Sequence, residues 1–343
     1  MKINRNKISF LDPEPTPVNY LPALSQELGV ELYIKRDDLT PYGAGGNKLR
    51  KLEYLLYDAR EKGATTLLTV GGAQTNHGRL TAAIAAKYGM KCVIVCVDDY
   101  PGEVSSNILL DTIMGAEVVL KKDDGRSEAA QLSEAVASVK AKYEAMREKV
   151  YEIPMGGSNT IGFMGYYECA AEITDQAKKM DIEDARLIVG AGSLGTYLGL
   201  YCGLKNENSP LSLTGIAITP FGDAKEKLLM EYFSKIKEEY KLDIDAVRED
   251  FHIETGYTRG GYNNPDAAVR NAIYKMARAE AIILDPCYTG KVFAGILDMI
   301  EEGKIKKGEK IILIHTGGIP GIYTKHHRLE FEKELIGNVT IME

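Results

Sequence analysis

The sequence predicts an α/β protein with a parallel sheet covered by helices on both faces. Two observations lead there. Short β-branched, apolar runs alternate with helical patterns along most of the chain. Small or polar clusters recur after Val70, Val189 and Ile314, each at the end of such a run, where open α/β sheets collect ligands.

Residues 12–22, with Pro13, Pro15, Pro17 and Pro22, read as an extended lead-in, and 31–38 as a short strand with charge at its end. The glycine-rich stretch Gly43-Ala44-Gly45-Gly46-Asn47-Lys48 then opens a helix. Its apolar residues Leu49, Leu52, Leu55, Leu56 and Ala59 share one stripe at roughly 100° per residue. Lys48 lies inside that stripe, whereas Arg50 and Lys51 point away from it. A first-turn lysine faces the positive end of the helix dipole, so helix stability does not explain it. Two readings stay open: a desolvated amine that acts as a nucleophile or forms a Schiff base, and a stem that covers apolar surface while its head reaches water.

Beyond this helix the periods alternate. Strands are expected at 65–70, 92–97 and 117–120, with helices at 80–88 and 106–114. A polar helix at 127–149 has little apolar stripe and belongs on the surface; 150–154 follows it. The pattern restarts with a helix at 162–178, strands at 186–189 and 213–219 around a loop and helix from Gly190, helices at 224–240 and 266–280, and a last strand at 310–315. No internal repeat or low-complexity tract interrupts it.

At 343 residues the chain suffices for two domains or one large α/β unit. A net charge of −7 disfavours an open nucleic-acid surface. No basic segment followed by an apolar core marks the N-terminus, and no apolar run approaches the roughly 20 residues of a membrane span. A cytoplasmic protein without nucleic-acid or membrane partners is expected. The five cysteines lack C-x-x-C spacing and suit reduced core positions, and the five histidines show no ligand spacing, so no metal is expected.

Residues 190–196 follow a strand and open a helix, so free N–H groups and the helix dipole make an anion site, to which Ser193 and Thr196 add hydroxyls. Gly190, Gly192 and Gly195 also satisfy G-x-G-x-x-G, the nicotinamide-binding alternative. The acidic residue that reading needs at the next strand end is missing, since Asp223 arrives only after Pro220. Gln74, Thr75 and Asn76 sit at a probable helix start, with donors for a carboxylate or phenolate oxygen, or simply a helix cap. Tyr262 and Tyr288 occupy glycine-flanked turns where a phenol can serve as acid or base, or merely pack.

Five motifs in order, Gly45-Gly46-Asn47-Lys48, Gln74-Thr75-Asn76-His77, Gly192-Ser193-Leu194-Gly195-Thr196, Asp285-Pro286-Cys287-Tyr288-Thr289-Gly290-Lys291 and His315-Thr316-Gly317-Gly318, give the chain a family resemblance. It resembles the pyridoxal-phosphate enzymes of tryptophan-synthase-β-like fold, in the branch of D-cysteine desulfhydrase and 1-aminocyclopropane-1-carboxylate (ACC) deaminase. The match runs from Lys35 to Gly318. The resemblance implies two open, mostly parallel sheets flanked by helices: a large cofactor-binding domain (1–50 plus 161–343) and a smaller inserted domain (51–160). It implies pyridoxal 5'-phosphate as cofactor and a homodimer.

By position, the resemblance makes Lys48 the Schiff-base lysine and proton carrier. Asn76 would contact the phenolic oxygen, Gly192, Ser193, Leu194, Gly195 and Thr196 the phosphate, and Thr316 the pyridine nitrogen. Gln74, Thr75, Asn76 and His77, with Tyr262 and Tyr288, would form the substrate side; Thr75 and both tyrosines would join Lys48 in catalysis. The implied reaction is β-elimination from a small amino acid, foremost D-cysteine to pyruvate, ammonia and hydrogen sulfide. Deaminases of this branch typically carry Glu after the second tyrosine and Leu before the final Gly-Gly, where this chain has Thr289 and Thr316. ACC deamination, or elimination from L-cysteine, cysteate or β-chloroalanine, are the alternatives. Thr75 replaces the serine usual in both activities, and its extra methyl is expected to crowd the carboxylate corner. Leu194 stands where a phosphate-loop glycine is common.

Overall fold

The computed structural model describes residues 3, 5–11, 14–98 and 103–342. Val18–Tyr20 (β1) and Glu31–Lys35 (β2) pair antiparallel around Pro22–Leu28 (α1). Pro22 begins α1, where a missing N–H costs nothing and the fixed φ suits a helix. The lead-in is thus already helical at its last residue; Asp12 and Pro13 lie outside the described residues.

Lys48–Glu61 (α2) precedes the run Thr66–Val70 (β3), Asn76–Lys87 (α3), Lys91–Val97 (β4), Ser106–Ile113 (α4), Glu117–Lys121 (β5), Glu128–Ala145 (α5) and Val150–Ile153 (β6). Met164–Met180 (α6) returns the chain to the first sheet. There follow Arg186–Ala191 (β7), Gly195–Asn206 (α7), Ser212–Ala217 (β8), Asp223–Tyr240 (α8), Ile253–Glu254 (β9), Ala267–Glu280 (α9), Thr289–Glu301 (α10), Lys310–Ile314 (β10) and Lys325–Leu335 (α11).

One sheet has the order β1-β2-β10-β7-β8-β9, parallel except for β1, and the other has β5-β4-β3-β6, all parallel. This is the α/β class the sequence predicts. The last strand, β10, slots between β2 and β7. Its carboxyl end therefore emerges between the loops that lead to α2 and α7, and these three segments build most of the site.

Side chains alternate across each sheet as the pleat requires. Leu187, Val189, Ile312 and Ile314 pack with α6, α7 and α8, while Ile188, Ile311 and Leu313 pack with α9 and α10. In the other sheet Leu67, Ile94 and Ile153 meet α2 and α3, and Leu68, Val93 and Val95 meet α5. Burying each such aliphatic side chain stabilises the fold by about 1.5–3 kcal/mol. The five cysteines are buried and free.

Three expectations need correction. The helix expected at 127–149 does carry a stripe: Leu132, Val136, Val139 and Tyr143 recur every three or four residues and cover β4. Its other faces are polar, which hid that narrow seam. Arg50 and Lys51, which lie off the apolar stripe, are nevertheless only 5% and 0% exposed, because α2 is clasped by the β3–β6 sheet on one side and α6 on the other. The helix expected from residue 80 begins at Asn76, and a strongly apolar helix, α10, starts at Thr289 where the motif read as a turn.

Candidate active site

The chain enters α2 through a close backbone crossing. A Cβ on Gly317, at φ 82°, would lie 2.7 Å from the Cα of Gly46, so that position needs glycine on both counts. Asn47 then ties three segments together. Its backbone N–H donates to Thr316 O (3.1 Å), its Nδ2 to Thr196 Oγ1 (3.1 Å), and its Oδ1 accepts from Lys48 Nζ (3.0 Å). Burial pushes the Lys48 amine down to about 8, against an upward pull from the Asp285 carboxylate. Roughly a tenth of it is neutral at pH 7, so the amine can take a proton as well as hold one.

One turn along α2, Lys51 is fully buried and donates to Gly156 O (3.1 Å) and Ser158 Oγ (3.2 Å). Burial, then the neighbouring Lys48, drives its pKa well below the ordinary value. These groups converge on the start of α7. A Cβ on Gly195 would sit 2.7 Å from Ser158 Oγ and 2.9 Å from Lys51 Nζ. Ser158 Oγ in turn donates to Ser193 Oγ (2.8 Å). Leu194 adopts the left-handed region, φ 68° and ψ −24°, and so turns the chain into the helix, whose first N–H groups have no intrahelical acceptor. A lysine, two hydroxyls and a bare helix N-terminus form a cradle for a dianion.

Across the cleft, Thr75 caps α3: its Oγ1 accepts from the N–H groups of His77 (3.2 Å) and Gly78 (3.4 Å). A Cβ on Gly78 would lie 2.6 Å from the Thr75 methyl. The absence of a side chain at Gly78 thus makes part of the room for that methyl. Asn76 Oδ1 accepts from Asn107 Nδ2 (3.1 Å) and Arg79 Nη2 (3.4 Å), which leaves its Nδ2 as the free donor edge. The Gln74 side chain is engaged elsewhere, donating to Ser105 O (3.3 Å) and accepting from Asn107 N (2.9 Å) at the head of α4. His77 is buried with neither ring nitrogen hydrogen-bonded among the described residues, and burial followed by Lys48 and Lys51 keeps it neutral.

The fourth wall is the start of α10. Asp285 accepts from the N–H groups of Cys287 (3.0 Å), Tyr288 (2.9 Å) and Thr289 (2.7 Å), and from the Thr289 hydroxyl (2.7 Å). That cap aims Tyr288 back at the cleft, where its O–H donates to Tyr262 Oη (3.1 Å), with the two rings edge to face. Burial raises the Tyr288 phenol far enough that it stays protonated. Beside Thr316, His315 Nδ1 accepts from Gly317 N–H (3.2 Å), which assigns the proton to Nε2, 3.2 Å from Ile283 O; burial lowers its pKa.

A cavity of about 700 Å³ joins these walls and reaches Lys48, Gln74, Thr75, Asn76, His77, Gly192, Ser193, Leu194, Thr196, Tyr262, Tyr288 and Thr316. Gly195 stands just behind the lining. Sequence reasoning passed over Asn47, Lys51, Ser158 and Asp285. The i, i+3 spacing from Lys48 carried a signal for Lys51, because such residues share a helix face; nothing local marks Ser158. Pyridoxal phosphate fits this arrangement: Lys51, Ser158, Ser193 and the α7 N-terminus would hold its phosphate, the free edge of Asn76 its phenolic oxygen, Thr316 its ring nitrogen, and Lys48 its aldehyde carbon.

The sequence model of the family described as pyridoxal-phosphate dependent enzyme matches residues 10–317. A putative 1-aminocyclopropane-1-carboxylate deaminase of Pyrococcus horikoshii is 39% identical over 315 residues, 91% of this chain and 92% of that protein. A D-cysteine desulfhydrase of Salmonella typhi is 37% identical over 316 residues, 91% of this chain and 94% of the other. Among solved structures, an ACC deaminase homologue superposes with a TM-score of 0.84 at 35% identity, covering 98% of this chain and 97% of that one.

Proposed function

Because the chain belongs to the pyridoxal-phosphate dependent enzyme family, we propose that it is a lyase that eliminates the thiol from D-cysteine, yielding, with one water consumed, pyruvate, ammonia and hydrogen sulfide. The observation that carries the choice is the pair Thr289 and Thr316. Thr289 is fully engaged with Asp285, donating its hydroxyl to the carboxylate and accepting from the Asp285 N–H (2.8 Å), so it offers no acid to the cleft. The glutamate that deaminases of this branch carry there is thus missing, and Thr316 replaces their leucine.

Bound pyridoxal phosphate supplies an electron sink for the pair left at the substrate's Cα. The protein does the rest. Lys48, whose buried amine is lowered to about 8, takes the Cα proton through its neutral form. Thr316 offers the pyridine nitrogen a hydroxyl, which, unlike a carboxylate, does not enforce ring protonation. Electron density then stays available to expel a β-leaving group. The Thr75 hydroxyl proton and the Asn76 backbone N–H, which the helix cap leaves free, receive the substrate carboxylate, and the Tyr288–Tyr262 pair, held protonated, donates to the departing sulfur. The protein is further proposed to work in the cytoplasm as a homodimer; none of its helices among the described residues is long and apolar enough to cross a membrane.

The test assays sulfide and pyruvate from D-cysteine beside 2-oxobutanoate from ACC, with L-cysteine, cysteate and β-chloroalanine in parallel. Sulfide and pyruvate from D-cysteine are expected. Turnover of ACC alone, or of another β-substituted amino acid in preference to D-cysteine, refutes the assignment. Light scattering at a mass of one chain would refute the dimer.

A further inference from the structure

Behind Asn76 runs a buried polar seam between α3 and α4 that the reaction outlined above leaves unused. Arg79, Asn107 and Asp111 are each 0–1% exposed. Arg79 Nη2 donates to Asn76 Oδ1 (3.4 Å) and to Gly45 O (3.2 Å), and Asn107 Nδ2 donates to Asn76 Oδ1 (3.1 Å) and to Gln74 O (2.7 Å). Two donors from different helices thus fix the orientation of one amide. The other polar atoms of the seam, Arg79 Nε and Nη1, Asn107 Oδ1 and both carboxylate oxygens of Asp111, have no hydrogen-bond partner among the described residues. Packing alone would favour apolar side chains at such positions.

We propose that Arg79 is a positioning residue that sets both the direction and the donor strength of Asn76 Nδ2, with Asp111 as the counter-charge that limits its effect. The proposal rests on the reading that Asn76 faces the cofactor's phenolic oxygen. A guanidinium that donates to the amide oxygen draws electron density from the amide and makes its N–H a stronger donor. Its positive charge, one amide away, also favours the ionised form of the oxygen that Asn76 contacts.

Arg79 faces Asp111 from α4 and Asp285 from the α10 cap, and Asp111 faces Arg79 and the Cys92 and Cys96 thiols of β4. Burial brings Arg79 down to about 10 against both carboxylates, and raises Asp111 to about 7 against Arg79. The seam is therefore positive at the Asn76 end and only partly compensated behind it.

The visible absorption of the bound cofactor, followed against pH, reads this effect without turnover. Arg79→Gln should move the midpoint of the spectral transition up by about one pH unit, and Arg79→Lys should recover part of that shift. Asp111→Asn should move the midpoint down where the transition lies above pH 7 and Asp111 is ionised, and the smaller upward shift of Arg79→Lys carries the test if Arg79→Gln does not fold. A midpoint that stays at the wild-type value in the folded variants overturns the proposal. Its failure is distinct from failure of the cofactor assignment, in which wild-type protein would show no cofactor fixed to Lys48 by borohydride.

Discussion

At Lys48 the chemistry depends on a single desolvated amine. Lys48→Ala should abolish borohydride fixation of the cofactor and lower turnover by at least about a thousandfold, as expected when the proton carrier is lost. Retained fixation, seen by mass spectrometry, would remove the lysine's assigned role. Asn47 works differently, because it joins the Lys48 helix to Thr196 and Thr316 through three hydrogen bonds, two of them from its side chain. Asn47→Ala should leave Lys48 reactive but destabilise the protein by about 1–3 kcal/mol in a denaturant titration and weaken cofactor binding. A variant as stable as wild type would show that the three segments are held by packing alone.

Among the elements, the start of α7 stores a strain that can be measured. Leu194 is 2% exposed and sits at φ 68°, which for a residue with a Cβ costs about 1 kcal/mol or more. Leu194→Ala and Leu194→Gly lose nearly the same buried volume, yet only glycine relaxes the backbone. Both should be less stable than wild type, with the glycine variant the more stable of the two by about 1 kcal/mol. The opposite order in thermal unfolding would mean that the turn is not strained. The elements also mark the limit of what the sequence disclosed. The stripe of α2 was legible because Leu49, Leu52, Leu55, Leu56 and Ala59 repeat at helical spacing, and all five are fully buried. The burial of Arg50 and Lys51 was not, because periodicity identifies one apolar face and does not say that a second helix, α6, will cover the other.

In the whole molecule, a buried ionic knot fastens α2 to the rest of the fold. Arg50 donates to Asp37 Oδ2 (2.9 Å) and Oδ1 (2.8 Å) and to Glu172 Oε2 (2.8 Å), while Lys35 binds Glu172 and the Tyr166 hydroxyl binds Asp37. Burial would raise the Asp37 carboxyl, but the charge and hydrogen bonds of Arg50, with Lys35 and Tyr166, hold it near 2 against an ordinary 3.8. A carboxylate lowered on folding contributes stability above its unfolded pKa and loses it as the pH falls toward the folded value. Asp37 should therefore account for about 2 kcal/mol that disappears between about pH 4 and pH 2. Asp37→Asn should flatten that part of the stability profile and destabilise the protein at pH 7 by about 3 kcal/mol, because the buried guanidinium loses one of its two counter-charges. An unaltered acid limb in chemical denaturation would place the acid sensitivity elsewhere.

The sequence by itself determined the alternation of strands and helices, the parallel sheet, and the ordered loops whose residues line one cavity. Those features are written in short-range periodicity and in glycines that local geometry requires. Only the tertiary structure decided how the polar groups in those loops are used. Thr75 spends its hydroxyl on a helix cap, Gln74 turns to α4, and Asn76 presents its N–H edge because Asn107 and Arg79 occupy its oxygen. Lys51 and Ser158 meet at Gly195 although 107 residues separate the two side chains. An amide or an ammonium takes its orientation from whichever partners the fold brings within about 3 Å, and partners so distant in sequence leave no mark on the local pattern.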